Sequence, residues 1–431
     1  MATRASDGRI SRCREPRAGS VMSPPTLALV RMTDGAIAPA EGSAVILGAG
    51  YAGLTLAKEV HRRSRGKIPV LLVDRHPVHV LRTQLYEIDR IATAGADPSG
   101  WAIPLAKVFE RSSVTLREGS VRSIDLDPRT VALDTGELTY RSLAICLGNV
   151  PAYYGVPGAE EHTDTVYRLS GAQRLAAKLR AIAADSARLP GERRPRIVVV
   201  GGGSTGTELA AEIASADWRA QAGPAARDLE VVLLTGSLPF LAGLPPSLID
   251  HAREELRRLG VAIVYGLNVA RVDADRLTLE DGTTLTFAAA VWCAGLQAPA
   301  LVRDLPVPHG HGGRIAVTPE LEIPDRPGCW AIGDVAELRD PATGLLVPGT
   351  AQAAMAQART AAENLVARWT GRPLRPFRYR ERGTIVALGA RRGAGAIGRW
   401  SLWGRPAALV KRFVQREYQE TIAHDAPPRL L

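Results

Sequence analysis

The chain has 431 residues, too many for one small domain and enough for two or three. Apolar residues make up 46% and charged residues 23%, with a mean hydropathy of -0.02, which excludes a disordered chain, and no run reaches the roughly 18 apolar residues of a membrane-spanning helix. The net charge of +10 sits mostly at one end, since Gly371 to Leu431 holds 13 arginines and lysines against four acidic residues.

The first 42 residues carry Pro16, Pro24, Pro25 and Pro39 and no helical or strand period, so they are expected to be a disordered extension. Their apolar run Thr26–Val30 is shorter than a signal-peptide core. Met22 and Met32 leave the start codon open.

Ser43–Leu47 is a branched apolar run that predicts a buried strand. It leads into Gly48-Ala49-Gly50-Tyr51-Ala52-Gly53, a helical stretch to about Arg65, and a second strand Ile68–Val73 that ends in Asp74. The acid lies 21 residues beyond the third glycine. Strand, GxGxxG, helix and acid in this order predict a dinucleotide-binding unit. Gly48 permits the tight turn, Gly50 lets the backbone approach a pyrophosphate, and Gly53 lets the helix pack on its strand. Asp74 would accept from ribose hydroxyls, with Arg75 beside it on the same dinucleotide, and the helix N-terminus would face the phosphates.

A second unit follows. Arg196–Val200 predicts a strand, Gly201-Gly202-Gly203-Ser204-Thr205-Gly206 a glycine loop, Thr207–Ser215 a helix and Glu230–Leu234 another strand. This strand ends in Thr235-Gly236-Ser237, with no acid for a 2′-hydroxyl and no adjacent arginine for a 2′-phosphate, so NADH and NADPH both stay open. Two loops imply two dinucleotides face to face, and a flavin with a nicotinamide is the natural pair.

From Ser43 to Arg399 the chain resembles the type II NADH dehydrogenases, within the flavoproteins that carry two dinucleotide-binding domains. The resemblance rests on Gly48–Gly53, Gly201–Glu212, Val291–Gly295, Cys329–Asp334, Thr350–Gln357 and Pro376–Gly383. It implies an α/β fold with two Rossmann-like domains, the NAD(P)H domain inserted into the FAD domain, and a C-terminal extension. The expected division is 43–160 and 299–395 for FAD, 161–298 for NAD(P)H and 396–431 for a basic amphipathic tail. The implied cofactors are FAD and NADH or NADPH. Gly333 and Asp334 would meet the flavin's ribityl and pyrophosphate portion, and the helix starting at Ala351 and Gln352 would lie beside its ring. Gly201, Gly203, Gly206 and Gly295 would hold the nicotinamide dinucleotide. Glu208 and Gln352 are the expected catalytic residues. A homodimer is left open.

Three places depart from the family's pattern. Its quinone-side motif is AQxAxQ; here Ala351, Gln352 and Ala354 fit, but Ala356 takes the last place and Gln357 comes one residue late, turned about 100° around a helix. Around Arg82-Thr83-Gln84-Leu85-Tyr86 the family usually has a proline and more apolar residues. Ile145-Cys146-Leu147-Gly148-Asn149 replaces an ATG-type sequence. A quinone acceptor is therefore expected from the resemblance alone.

Cys13, Cys146, Cys293 and Cys329 form no CxxC, and none follows the first glycine loop, so no redox disulfide is expected. Cys146, Cys293 and Cys329 sit in strand-like runs and read as small buried hydrophobes. The eight histidines show no metal spacing, no metal is expected, and His309 and His311 read as exposed loop residues. Glu208 also fits a carboxylate placed at a helix N-terminus by the dipole. Glu212, one turn on, reads as a solvated or capping residue.

In AALVKRFVQREYQETI, residues 407 to 422, Leu409, Val410, Phe413, Val414, Tyr418 and Ile422 recur at helical spacing opposite Lys411, Arg412, Gln415, Arg416 and Gln419. Trp400 and Trp403 precede them. Such a stripe suits either a lipid interface or docking on the chain's own domain. The expected location is cytoplasmic, with peripheral contact on the inner membrane face if the tail binds lipid. The expected function is an FAD-dependent NAD(P)H oxidoreductase passing electrons to a quinone or another small acceptor. The alternatives are a soluble tailoring reductase for a quinonoid metabolite and a redox-sensing NADH-binding protein resembling apoptosis-inducing factor. The tail lacks the interleaved aromatics of a nucleic-acid surface, so no nucleic acid is expected.

Overall fold

The computed structural model describes residues 42–94, 97 and 99–424, so residues 1–41 of the expected extension lie outside the described residues. The chain begins with β1 (Ala44–Leu47), the helix Tyr51–Ser64, β2 (Val70–Asp74), β3 (Thr115–Glu118) and β4 (Ser142–Ile145). Then come β5 (Arg196–Val200), the helix Ser204–Ser215, β6 (Glu230–Leu234), β7 (Ala262–Val264) and β8 (Ala289–Trp292). The chain later returns with β9 (Cys329–Ala331).

These strands form two parallel sheets, ordered β3-β2-β1-β4-β9 and β7-β6-β5-β8. Both share the doubly wound order, third, second, first, fourth, so each has its switch point beside its first strand. Runs without polar alternation make strands covered on both faces: all four residues of β1 are fully buried. The chain crosses from one sheet to the other at Val150–Pro151 and back at Leu296–Gln297, two short strands that pair antiparallel.

Each sheet is clad on both sides. The helices Tyr51–Ser64 and Ala351–Trp369 cover one face of the first sheet around Leu54, Trp330 and Leu365. The antiparallel strands Val121–Asp125, Thr130–Leu133 and Gly136–Thr139 cover the other. In the second sheet, helices Leu169–Asp185, Ser204–Ser215 and Pro246–Arg258 pack on one face. The strands Val269–Val272, Arg276–Leu279 and Thr284–Thr286 lie over the other.

The C-terminal part is more than a tail. Strands Gly383–Ala387, Gly393–Ile397 and Trp400–Gly404 form an antiparallel sheet, and the middle one spans the division expected at residues 395 and 396. Its GAGAI sequence has too few side chains to show a strand period. Val386, Ala387, Leu388 and Ala394 join the core of the second unit. The helix Arg405–His424 then runs back, and its Tyr418 and Ile422 enter the core of the first. The expected stripe therefore splits. Tyr418 and Ile422 are buried, whereas Leu409 is 65% and Phe413 54% exposed. Among the described residues no helix is long and apolar enough to cross a membrane.

Candidate active site

The two glycine loops repeat one another contact for contact. Gly48 and Gly201 have φ of 98° and 119°, a left-handed region that L side chains rarely adopt. A Cβ on Gly48 would lie 2.5 Å from the carbonyl oxygen of Cys146, and one on Gly201 would press on the carbonyl of Cys293. The third glycines, Gly53 and Gly206, are pressed against the carbonyl oxygens of Gly48 and Gly201. The middle glycines, Gly50 and Gly203, face open space. A backbone cradle with room over its central glycine fits a pyrophosphate, and both helices start there. Cys146 and Cys293 thus hold equivalent positions, each followed two residues later by glycine.

Asp74, at the end of β2, has one carboxylate oxygen accepting from the Ala49 amide at 2.7 Å and the other from the His76 amide at 3.0 Å. It ties the strand end to the first loop. His79 holds the same loop from below. It is fully buried, its Nδ1 donates to the Ala49 carbonyl at 2.8 Å, and its Nε2 accepts from the Tyr418 hydroxyl at 3.0 Å. Burial pushes its pKa down to about 4, in keeping with this neutral bonding pattern.

Gly333 and Asp334 lie against the first loop: a Cβ on Gly333 would meet the Cβ of Ala52 at 3.1 Å. The Gly333 amide donates to Gln357 Oε1 at 2.7 Å. The one-residue slip of Gln357 thus takes its amide into the core, where it supports this turn, while Gln352 stays half-buried with Ala351 at the helix start. Thr350 caps that helix, its Oγ1 accepting from the Ala353 amide at 3.1 Å. Two departures from the family's pattern meet here. Arg82 donates to Asn149 Oδ1 at 2.7 Å, and Asn149 Nδ2 donates to Asp334 Oδ2 at 2.7 Å. The Arg82 guanidinium also lies 5.6 Å from the Tyr167 ring centroid. Burial pushes the Asp334 carboxyl up, opposed by Arg82 and Arg314.

On the second unit, Glu208 is buried, accepts from the Ala387 amide at 3.0 Å and forms an ion pair with Lys411 of the C-terminal helix. Lys411 Nζ also donates to the Ile385 carbonyl at 3.2 Å and lies 4.8 Å from the Tyr86 ring centroid. Sequence reasoning missed Lys411, although a lysine among 49 arginines was a signal. Glu212 is 5% exposed rather than solvated, and burial, with Glu87, Asp89 and Glu208 nearby, pushes its carboxyl up to about 8. Gly295 lies under the Tyr154 hydroxyl, and Tyr154 itself has φ of 53°.

Among the described residues the cysteines are not paired. Cys146, Cys293 and Cys329 are free and buried, and burial pushes the Cys293 thiol up to about 12. Cys146 packs on one face of the first sheet and Cys329 on the other. Among the described residues no group of histidine, cysteine or carboxylate side chains is placed to hold a metal. His311 is exposed, but His309 is half-buried with its Nε2 at 2.9 Å from the Val302 carbonyl.

Residues 42–358 match the pyridine nucleotide-disulphide oxidoreductase family. The chain belongs to that family. It is 30% identical over 381 residues to the demethylphylloquinone reductase NdbB of Synechocystis, covering 85% of this chain and 89% of that one. It is 29% identical to the type II NADH:quinone oxidoreductase Ndh of Mycobacterium tuberculosis, covering 86% and 83%. In fold it is similar to NDH2 from Plasmodium falciparum, solved in complex with NADH, with a TM-score of 0.75 at 14% identity over 86% of this chain and 94% of that one. The sulfide:quinone oxidoreductase of Aquifex aeolicus has the same fold, with a TM-score of 0.72 at 17% identity over 88% and 91%.

Proposed function

We propose that the chain is an FAD-dependent NAD(P)H:quinone oxidoreductase that works without a redox disulfide. The observation that carries this reading is the pair of geometrically equivalent cradles, each open over its middle glycine. The first would take FAD, with its pyrophosphate over Gly50, its ribose toward Asp74 and Arg75, and its ribityl portion toward Gly333 and Asp334. Ala351 and Gln352, at a capped helix start, would lie along its ring. The second would take the nicotinamide dinucleotide through Gly201, Gly203, Gly206 and Gly295. Residues 43–160 and 299–382 would then form the FAD domain and 161–298 the NAD(P)H domain, with the sheet and helix from residue 383 on linking both.

When bound, the flavin supplies the reversible hydride and electron chemistry. The chain supplies orientation and protons. Asn149 and Arg82 fix the Asp334 carboxylate, and Gln357 fixes the turn that carries it. Glu208, held by Lys411 and the Ala387 amide two residues past the third glycine of the second cradle, would be the group that exchanges a proton at the acceptor site. Glu212, with its carboxyl raised to about 8, holds a proton one turn away. The buried cysteines take no part.

The quinone acceptor rests on the relatives named above. A stopped-flow experiment tests it: NADH or NADPH should bleach the flavin's visible band, and quinone should restore it faster than oxygen or ferricyanide. A flavin that neither nucleotide bleaches would refute the assignment.

We further propose that Trp400, Trp403, Leu409 and Phe413, all more than half exposed, rest on an anionic membrane surface beside Arg399, Arg405, Arg412 and Arg416. Sedimentation with anionic vesicles at low and high salt tests this. Protein that stays in the supernatant at low salt, or that instead pairs into a homodimer through these side chains, refutes it.

A further inference from the structure

An NAD-binding unit reads the adenosine ribose at the end of its second strand, through an acid for the 2′-hydroxyl or an arginine for the 2′-phosphate. Here that place is occupied by residues that do not reach out. Thr235 is buried, and its hydroxyl donates to the Val264 carbonyl at 3.2 Å. Gly236 follows with φ of 56°.

An acid nevertheless arrives from another element. Asn268 Oδ1 accepts from the Ser237 amide at 3.0 Å, and Asn268 Nδ2 donates to Glu280 Oε2 at 3.1 Å. The Glu280 amide donates in turn to the Asn268 carbonyl at 3.0 Å, so the two residues are joined by main chain and side chain. Asn268 Oδ1 lies 2.8 Å from where a Cβ on Gly236 would stand, which leaves room at that turn only for glycine. Glu280 sits just past the strand Arg276–Leu279 and is exposed. Arg253, the nearby cation on the helix Pro246–Arg258, is already engaged, donating to Asp250 at 2.8 Å and to the Tyr265 hydroxyl at 3.1 Å.

We propose that Glu280, brought to the end of strand β6 by Asn268, is the residue that reads the adenosine ribose and makes this chain select NADH over NADPH. The inference rests on the reading that the Gly201–Gly206 cradle holds the nicotinamide dinucleotide. A 2′-hydroxyl can donate to the Glu280 carboxylate, whereas a 2′-phosphate sets like charges against each other. Asn268 is a positioning residue that acts through Glu280 and the Ser237 amide.

The test is equilibrium binding of NAD⁺ and NADP⁺ to the flavin-loaded protein, which needs no turnover. Wild type should bind NAD⁺ at least about tenfold more tightly than NADP⁺. Glu280→Arg should reduce that ratio about tenfold or invert it, mainly by improving NADP⁺, and Glu280→Gln should fall between. Asn268→Ala should weaken NAD⁺ and narrow the ratio as well. A ratio unchanged within about twofold in Glu280→Arg, with both nucleotides still binding, overturns the proposal, as does a wild type that prefers NADP⁺. If neither nucleotide binds wild type although its flavin is present, the cradle assignment itself falls, and the proposal with it.

Discussion

The two dinucleotide units of this chain use one backbone and two sets of side chains. Their glycines are interchangeable in geometry, yet the equivalent helix positions diverge. Two residues past the third glycine the first helix has Thr55 and the second has Glu208; six residues past, they have Glu59 and Glu212. Glu59 is half-buried and paired with Arg62 at 2.6 Å and Arg63 at 3.0 Å. Glu212 is buried within its unit, among other carboxylates. The backbone repeats, and the side chains set the second unit apart where its helix meets the helix Ile88–Ala94 and Lys411 of the C-terminal helix.

If the cradles are equivalent, they should fail alike. Gly48→Ala and Gly201→Ala each put a methyl group into a neighbouring backbone carbonyl, at a φ that alanine resists. We expect both variants to lose several kcal/mol, on the order of 3 or more, and to be recovered mainly as insoluble protein. A soluble, native-like Gly201→Ala beside an insoluble Gly48→Ala would show that the second cradle is looser than its geometry states.

The next effect should be confined to the second unit. Lys411→Ala removes the cation from a buried ion pair and leaves Glu208 with only the Ala387 amide. Stranding a buried carboxylate costs about 3–5 kcal/mol. Chemical denaturation should show that loss. Lys411→Met with Glu208→Gln should recover most of it, since a neutral pair leaves no uncompensated charge. Thr55→Ala, at the equivalent place of the first unit, should cost about 1 kcal/mol or less.

The third contrast is one of pH. The Glu212 carboxyl is raised from 4.5 to about 8, so between those values the folded chain holds a proton that the unfolded chain has released. The folded state then binds more protons, and stability falls as pH rises through that window. Thermal unfolding followed from about pH 5 to about pH 8 should show a steeper decline for wild type than for Glu212→Gln, which carries no titrating group. Parallel curves for wild type and Glu212→Gln would mean that Glu212 is ionised in the folded protein.

Much of this was legible in the sequence. The strands around Ser43–Leu47 and Arg196–Val200, both glycine loops and Asp74 were marked by local pattern, because a parallel strand buried on both faces and a phosphate cradle each need a contiguous residue set. The helix after the second loop starts at Ser204 rather than Thr207, because the loop's last residues already form its first turn. Long-range partners were not legible. Nothing near Glu208 announces Lys411, 203 residues away, or predicts that Asn149 joins Arg82 to Asp334. Burial of Glu212 was hidden for the same reason: Glu87, Asp89 and Arg90, which lie around it, are far from it in sequence. The C-terminal sheet was missed because its strand Gly393–Ile397 is built mainly of glycine and alanine, which carry almost no binary pattern.

The smallest effect on stability should come from the middle glycines, and it discriminates best between the units. Gly50 and Gly203 have ordinary negative φ, -70° and -75°, and no atom within 4 Å of an added Cβ. Alanine there meets nothing in the chain itself, so thermal stability without ligands should change by less than about 0.5 kcal/mol. The methyl group instead occupies the space in which a pyrophosphate must approach the backbone. Gly203→Ala should therefore keep a full flavin spectrum while its affinity for the nicotinamide dinucleotide drops. Gly50→Ala should emerge colourless or need excess FAD to regain colour. Each variant adds one methyl group at the equivalent point of its own cradle, so any difference between them reports which dinucleotide each cradle holds. Flavin lost from Gly203→Ala and retained by Gly50→Ala would reverse the assignment of the two units while leaving the fold intact.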